Sequence, residues 1–169
     1  MAGERMGDTQ DFEEYAQARQ HWLYRTAVLL CGDTHRAQDL TQTTLVKLLQ
    51  HWNRAAGADN IDAYARTVLT RTFLAEQRRR LLGRRLHTTL DNPTSPGDPA
   101  LRVTLLAALR DLPPKARAMV VLRYWEDQSI ENVAASLGCS PGTVKSQCSR
   151  ALAMLRERLG ADERITAEC

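Results

Sequence analysis

Polar and cationic side chains crowd the stretch of the chain between Thr143 and Arg150. Lysine and arginine suit the acceptor groups of guanine, glutamine suits adenine, and the hydroxyls of serine and threonine suit several bases. An α-helix that carries such side chains in its first turns fits the major groove of DNA. The stretch therefore predicts a base-reading helix with these candidate readers: Thr143, Lys145, Ser146, Gln147, Ser149 and Arg150.

Two helices joined by a tight turn must present this segment. Gly138 is suited to the left-handed backbone that ends a helix, and Ser140 with Pro141 supplies a cap and a first residue for the next one. This arrangement predicts a helix-turn-helix. The alternative is a solvated face on an ordinary helical hairpin. Before the turn, a short helix that starts after Ser129 is indicated by apolar residues spaced three and four apart: Ile130, Val133, Ala134 and Leu137.

The composition favours helices throughout the chain. Aromatic residues make up 5% of the 169 residues, and no run of alternating β-branched residues is bounded by turns. The formal net charge is +3 and the sequence pI is about 8.8, so the charge excess alone does not indicate a polyanion partner. Five arginines nevertheless fall within residues 78–85, where contact with nucleic-acid phosphates competes with simple solvation.

Several classes of protein are not favoured. No apolar segment approaches membrane-spanning length and the N-terminus lacks the apolar core of a signal peptide, so a soluble, intracellular protein is expected. No phosphate loop, paired acidic site or nucleophile and base pair supports an enzyme. The four cysteines are scattered, so no disulfide framework, metal or cofactor is expected, and Cys148 is interpreted as a packed thiol: Cys31, Cys139, Cys148 and Cys169.

Helical periodicity and turn residues divide the N-terminal part. A disordered polar leader is expected over 1–10, and the first helix runs from Asp11 until Cys31 and Gly32 stop it. Asp33 can cap a second helix, whose apolar stripe is the most regular in the chain. Residues 53–60 are expected to form a loop, after which Asp62 caps a third helix that reaches the arginines.

Three prolines and a glycine among small polar residues predict an extended linker at 86–99. The sequence therefore predicts an all-α protein of two small helical domains, at 11–85 and 100–160, joined by a flexible linker. The second domain contains two further helices before the helix-turn-helix. Residues 161–169 are expected to be a polar, mobile tail.

Five motifs in this order resemble those of the extracytoplasmic-function sigma factors of the sigma-70 family, the small group IV bacterial initiation factors that keep only the second and fourth sigma domains. The SigE-like actinobacterial branch is the most similar. The resemblance spans roughly residues 11–160 and implies a sigma2-like bundle followed by a sigma4-like domain. The motifs are AQDLTQTTL at 37–45, DAYARTVL at 62–69, LPPKAR at 112–117, VLRYWED at 121–127 and GTVKS at 142–146.

The resemblance implies an RNA polymerase sigma factor without enzymatic activity that acts in the bacterial cytoplasm. The second helix is then expected to bind the β′ clamp helices of core RNA polymerase through Asp39, Leu40, Gln42, Thr43 and Thr44. The loop and third helix are expected to capture and melt the minus-ten promoter element through Asp59, Asn60, Tyr64, Arg66, Arg71, Arg78, Arg79 and Arg80.

In the second domain, the resemblance implies that the candidate readers between Thr143 and Arg150 recognise the minus-thirty-five element, and that the domain docks on the β flap of the polymerase. Promoter DNA is thus a second partner, and an anti-sigma factor is a possible third. The alternative function is a helix-turn-helix transcription regulator whose N-terminal bundle senses a ligand or dimerises.

Overall fold

A computed structural model of the chain describes the backbone of residues 2–84 and 100–167 and the side chains of residues 9–83 and 104–160. No strand occurs within these ranges. The N-terminal half contains α1 Ala2–Cys31, α2 Thr34–Gln50, α3 Trp52–Ala56 and α4 Ile61–Arg84. The C-terminal half contains α5 Ala100–Asp111, α6 Pro114–Val120, a π-helical turn Val121–Trp125, α7 Ile130–Leu137 and α8 Pro141–Ala167.

The turn between α1 and α2 forms as the sequence predicts. Gly32 has a φ of 68°, a left-handed conformation that glycine adopts without a Cβ penalty. An ideal Cβ at this position would lie 2.3 Å from the Cδ atom of Arg110, so the residue also permits a close approach by the C-terminal half. The side chain of Asp33 then caps α2 by accepting a hydrogen bond of 2.8 Å from the backbone N–H of Arg36.

The α2 helix buries its regular stripe against α1 and α4. Two threonines are also buried in this stripe. Burial of their hydroxyls is tolerated because each donates a hydrogen bond to a carbonyl one turn earlier: Thr41 to Ala37 at 2.7 Å, and Thr44 to Leu40 at 2.8 Å. These bonds satisfy the polar groups inside the core. The predicted helix is confirmed, and its buried residues are Ala37, Leu40, Thr41, Thr44, Leu45 and Leu48.

The structure differs from the sequence-based expectations at several element boundaries. Helix α1 begins at Ala2, so residues 2–10 are helical where a disordered leader was expected. Helix α3 occupies the first part of the expected loop at 53–60, because burial of Trp52 and Ala55 stabilises one further helical turn. Helix α8 continues to Ala167, through most of the expected tail. The expected linker at 86–99 lies outside the described residues.

The cap of α4 was also assigned to the wrong residue. The backbone N–H of Ala63 donates to Oδ1 of Asn60 at 2.9 Å, so Asn60 caps the helix. Asp62 instead accepts a hydrogen bond of 3.0 Å from the hydroxyl of Tyr15 and pairs with Arg19 at 3.0 Å. Because Asp62 can meet these donors on α1, a tertiary contact replaces the local capping role.

The predicted helix-turn-helix is confirmed. Ser129 caps α7 by accepting from the backbone N–H of Asn132 at 3.1 Å. Gly138 ends that helix with φ 61° and ψ 47°, in the left-handed region. Ser140 caps α8 by accepting from the backbone N–H of Thr143 at 3.1 Å. The helices α7 and α8 bury a small core of their own with Met119 and Leu122.

The two halves share a hydrophobic core. Ala118 and Val121 of the C-terminal half are buried in the same cluster as Leu23 and Phe73 of the N-terminal half. Arg117 crosses this boundary and is 7% exposed. Its guanidinium donates a hydrogen bond of 2.6 Å to the carbonyl of Leu30 on α1, and further hydrogen bonds to the carbonyls of Arg110 and Leu112. The backbone of three segments therefore meets at one buried cation.

We expect Phe73→Ala to destabilise the protein by about 3–5 kcal/mol, because truncation of a buried phenylalanine leaves a cavity. Phe73 is fully buried, and the guanidinium of Arg117 lies 5.7 Å from its ring centroid. Urea unfolding followed by circular dichroism measures the change. Leu81→Ala is the control, since Leu81 is exposed and its loss should change stability by less than about 0.5 kcal/mol. Equal effects of the two substitutions would contradict the core described here.

Candidate nucleic-acid and protein interfaces

The first turns of α8 separate buried from exposed side chains. Val144 and Cys148 are buried against the rest of the helix-turn-helix, and Ala151 is buried in the cluster with α5 and α6. The opposite side of the helix carries Lys145, Ser146, Ser149 and Arg150, all exposed, which are called the reading face below. This is the arrangement that a helix needs in order to present donors to base edges in a major groove.

Two other predicted readers are placed differently. Thr143 and Gln147 are half-buried, at the borders of the reading face. The hydroxyl of Thr143 lies 2.9 Å from the Oγ atom of the capping Ser140, and the hydroxyl of Ser146 donates 3.1 Å to the carbonyl of Thr143. These contacts hold the start of the helix in one conformation. Thr143 therefore supports the first turn in addition to any contact with DNA.

A groove of about 360 Å³ runs beside the reading face. Lys145 and Ser149 line it together with Arg156, two turns further along α8, and with Tyr124. Tyr124 and Arg156 are exposed and were not singled out from the sequence. The spacing of Arg156 from Ser149 is seven residues, which is two helical turns, so helical periodicity was the signal that pointed to it.

Most predicted minus-ten residues lie along α4. Asp59 and Asn60 are exposed at its start, although the side chain of Asn60 is engaged as the helix cap. Tyr64 is half-buried and packs on the hydrophobic core. The consecutive residues 78–80 are exposed near the other end, about 27 Å away at the helical rise of 1.5 Å per residue. The structure therefore spreads these groups along one helix and does not gather them in a single pocket.

Arg66 and Arg71 make contacts across the boundary between the halves. The Nε atom of Arg66 pairs with the carboxylate of Glu126 at 3.0 Å, and the two side chains are 14% and 4% exposed. The Nε atom of Arg71 donates 3.0 Å to the backbone carbonyl of Ser136 on α7. Both arginines are thus held by the C-terminal half.

The carboxylate of Glu126 gathers several donors. The indole N–H of Trp22 donates to it at 3.1 Å, and the hydroxyl of Thr26 also donates to it. The guanidinium of Arg66 lies 5.3 Å from the ring centroid of Trp22, so the cation is stacked as well as paired. Trp22, Thr26, Arg66 and Glu126 are called the Glu126 cluster below.

The predicted polymerase-binding residues on α2 divide into two groups. Asp39 and Gln42 are exposed and Thr43 is half-buried. Leu40 and Thr44 are both 0% exposed, so these two side chains belong to the core. The role predicted for these two residues at the polymerase interface stays a prediction, since they lie in the core of the free chain.

Two apolar residues on the exposed side of α2 were missed. Val46 is 51% exposed and Leu49 is 46% exposed. Val46 lies four residues after Gln42, and Leu49 lies three residues after Val46. Asp39, Gln42, Val46 and Leu49 therefore form one strip along the helix, called the α2 strip. Large apolar side chains exposed next to polar ones are typical of a protein-binding surface. The signal in the sequence was the helical spacing of both residues from Asp39 and Gln42.

Two family models match the chain. Sigma-70 region 2 matches residues 15–81, and sigma-70 region 4 matches residues 102–155. Together these matches cover most of the chain. The chain belongs to the sigma-70 family. The N-terminal half is therefore region 2 and the C-terminal half is region 4, which agrees with the resemblance drawn from the five motifs.

Relatives support the same assignment. The chain is 44% identical to the RNA polymerase sigma-E factor of Streptomyces coelicolor, over 92% of this chain and 90% of that protein. It is 34% identical to the ECF RNA polymerase sigma factor SigE of Mycolicibacterium smegmatis, over 89% of this chain and 63% of that protein. The alternative of a ligand-sensing transcription regulator is thus set aside, since both sigma regions match. As a sigma factor, the protein directs transcription initiation.

A solved structure shows a similar arrangement of both regions. The sigma factor RpoE from Bartonella quintana, determined in complex with the anti-sigma factor NepR, superposes with a TM-score of 0.73. The superposition covers 90% of this chain and 99% of that chain, at 28% sequence identity. The likeness thus extends across both halves.

The described part of the chain offers neither a metal site nor a membrane-spanning helix. No group of three or more histidine, cysteine or acidic residues that could hold a metal occurs there. None of the helices described is long and apolar enough to cross a membrane.

The described cysteines differ in their surroundings. Cys31 is buried beside Arg36 and Arg117, and burial raises the pKa of its thiol to about 12. Burial also raises the pKa of Cys148 on the inner side of α8. Cys139 is half-buried. The expectation that Cys148 is a packed thiol agrees with its position in the core.

We expect Cys31 and Cys148 to react slowly with iodoacetamide at pH 8. A raised pKa leaves each thiol protonated at that pH, and the thiolate is the reactive form. Peptide mass spectrometry after timed labelling measures each site, and labelling in urea gives the rate without burial. Cys139 serves as the internal control because it is partly accessible. Equal labelling of Cys148 and Cys139 in the folded protein would contradict the packing of α8.

Proposed function

We propose that the reading face recognises the minus-thirty-five element of a promoter, as the region 4 part of a sigma factor that binds core RNA polymerase. The single observation that supports this role best is the separation of side chains on α8. Four polar residues, two of them cations, share one exposed face directly after a capped helix start, while Val144 and Cys148 anchor the other face. Gln147 and Thr143 flank that face and are proposed to contribute further DNA contacts at its borders.

Region 2 is proposed to bind the polymerase through the α2 strip. Asp39 and Gln42 supply polar contacts, while Val46 and Leu49 offer apolar area that is exposed in the free chain. The β′ clamp helices are the proposed partner of this strip. Leu40 and Thr44 support it from within the core of the free chain. Docking of region 4 on the β flap is proposed from family membership alone.

The minus-ten element is proposed to follow α4. Asp59 and Asn60 lie at the end where a flipped base can be bound, and exposed arginines at 78–80 are available to phosphates further along. Tyr64 is half-buried in the core and is therefore proposed to support the helix. Arg66 and Arg71 can join the DNA contacts only after their bonds to region 4 are released.

The protein is proposed to act without enzymatic activity, in the cytoplasm where core polymerase and DNA are found. An anti-sigma factor is proposed as a further partner, because the superposed sigma factor RpoE was determined with the anti-sigma factor NepR. The decisive experiment mixes the purified chain with core polymerase and a pool of random promoters. A stoichiometric complex on size exclusion, and enriched promoters that share two spaced elements, support the proposal. Binding to duplex DNA without polymerase binding contradicts it.

Lys145→Ala is expected to weaken discrimination at one position of the minus-thirty-five element by about 1–3 kcal/mol, which is the range for a good base contact. Transcription from promoters with each base substituted, using holoenzyme below saturation, measures the change. Lys115→Ala is the matched control, because Lys115 is an exposed lysine on α6 of the same half, outside the reading face. If both variants keep the parental base preferences, the reading face is assigned to the wrong residue.

Val46→Asp is expected to weaken binding to core polymerase by at least about tenfold, since a charge replaces apolar contact area at the centre of the strip. Fluorescence anisotropy of labelled protein titrated with core enzyme measures the dissociation constant. The matched control is Leu81→Asp, which places the same charge at another exposed apolar residue of region 2. Unchanged affinity in Val46→Asp, with parental stability, would remove the α2 strip from the polymerase interface.

A further inference from the structure

A small cavity lined by four arginines lies beside Arg117 and is called the arginine pocket below. Its volume is about 170 Å³. Sites for drug-sized ligands measure roughly 300–1,000 Å³, so this cavity suits a small ion or a single small group. The four arginines come from four different helices and from both regions: Arg36 of α2, Arg80 of α4, Arg110 of α5 and Arg117 of α6.

The positive charge of the arginine pocket is not neutralised by acidic side chains. Within the described part of the chain, none of the four arginines forms an ion pair with a carboxylate. The acids close enough to influence them are Glu76, Asp33 and Asp111. Asp33 caps α2, and Asp111 pairs with Arg158 at 2.7 Å. Glu76 alone therefore faces an excess of cations, without an ion pair to any of them.

Arg117 is the most enclosed of the four cations. Its terminal nitrogens donate to three backbone carbonyls, whereas its Nε atom is buried and has no hydrogen-bond partner among the described residues. Burial lowers the pKa of Arg117 to about 10, and the positive charges of Arg36 and Arg110 also lower it. Carbonyl oxygens satisfy hydrogen bonds but carry no full charge. The charge of Arg117 thus lacks an anionic partner.

Arg36 experiences the same surplus of charge. It is half-buried in the first turn of α2. Burial lowers its pKa, and the positive charge of Arg80 lowers it further. A neighbouring anion would relieve both the loss of hydration and the repulsion between the cations. The two regions therefore bring together positive charges that repel each other in the free chain.

Gly32 makes room for another of these cations. An ideal Cβ atom on Gly32 would lie 2.3 Å from the Cδ atom and 2.4 Å from the Cγ atom of Arg110. Any larger residue at position 32 would displace this side chain, which passes over the turn and lines the cavity. The absence of a side chain on Gly32 thus helps to form the arginine pocket as well as the turn before α2.

We propose that the arginine pocket binds a phosphate group, either as free inorganic phosphate or as the end of a small phosphomonoester. Guanidinium groups donate charge-assisted hydrogen bonds to phosphate oxygens, and their planar arrangement of N–H donors matches that geometry. A dianion supplies the negative charge that Arg36 and Arg117 lack. Binding needs neither polymerase nor promoter DNA, so this inference does not depend on the proposed function.

Calorimetric titration of the full chain with inorganic phosphate tests the proposal. The ionic strength is held constant with sodium chloride at pH 8, so that general screening does not change. We expect one saturable site per chain. Arg36→Gln and Arg110→Gln should each weaken binding by at least about tenfold, because each removes a charged donor from the site. Arg54→Gln is the matched control, since Arg54 is an exposed arginine on α3 outside the cavity.

The absence of saturable binding to the parent chain overturns the proposal, as does equal affinity in the parent and both pocket variants. Circular dichroism establishes that each variant is folded. If Arg36→Gln unfolds, Arg110→Gln decides, because Arg110 is exposed and its loss leaves little buried space. Loss of binding in Arg54→Gln to the same extent would indicate a general effect of charge and would also overturn the specific site.

Two further measurements complete the test. Titration with glycerol 3-phosphate distinguishes the two sources of the group: binding comparable to that of phosphate supports a phosphomonoester, and binding of phosphate alone supports the free anion. Thermal unfolding should show a higher midpoint in phosphate than in chloride, because a ligand of the folded state stabilises it. Phosphate also stabilises proteins by exclusion from their surfaces. An equal rise in Arg36→Gln and in the parent would therefore contradict binding in the arginine pocket.

Discussion

Burial of charge between the two halves is the constraint on which this structure depends. Arg117 donates to the carbonyls of Leu30, Arg110 and Leu112 and lies over the ring of Phe73, while burial lowers its pKa to about 10. That value still leaves the guanidinium charged near neutral pH. A buried charge is tolerated only where hydrogen bonds replace its hydration. The ends of α1 and α5 are therefore brought to one point.

The Glu126 cluster buries a negative charge, which likewise needs hydrogen bonds in place of its hydration. Its carboxylate is satisfied only when α1, α4 and the turn before α7 lie together. Arg117 and Glu126 thus each hold the two halves together through buried polar contacts. Because each contact needs a particular geometry, the pair specifies one docking arrangement among the many that apolar contact alone would allow.

The candidate interfaces show how helical position decides the role of a residue. On α2, the motif around Asp39 contains both exposed and buried residues, and a shift of one position separates Gln42 from Thr41. On α8, the same separation places Lys145 outside and Val144 inside. A motif can therefore identify the correct helix and still include residues that lie in the core of the free chain, such as Leu40 and Thr44.

The sequence by itself determined most of the helices, the caps at Asp33, Ser129 and Ser140, and the turn at Gly138, because these features depend on neighbouring residues and on a regular period. It also determined the family, through motifs in order. Only the tertiary structure decided that Asp62 pairs with α1 and that Arg66 pairs with Glu126. Those partners are 47 and 60 residues apart and polar, so no periodic pattern marks them. Their pairing follows from the packing of the two halves, which local sequence does not encode.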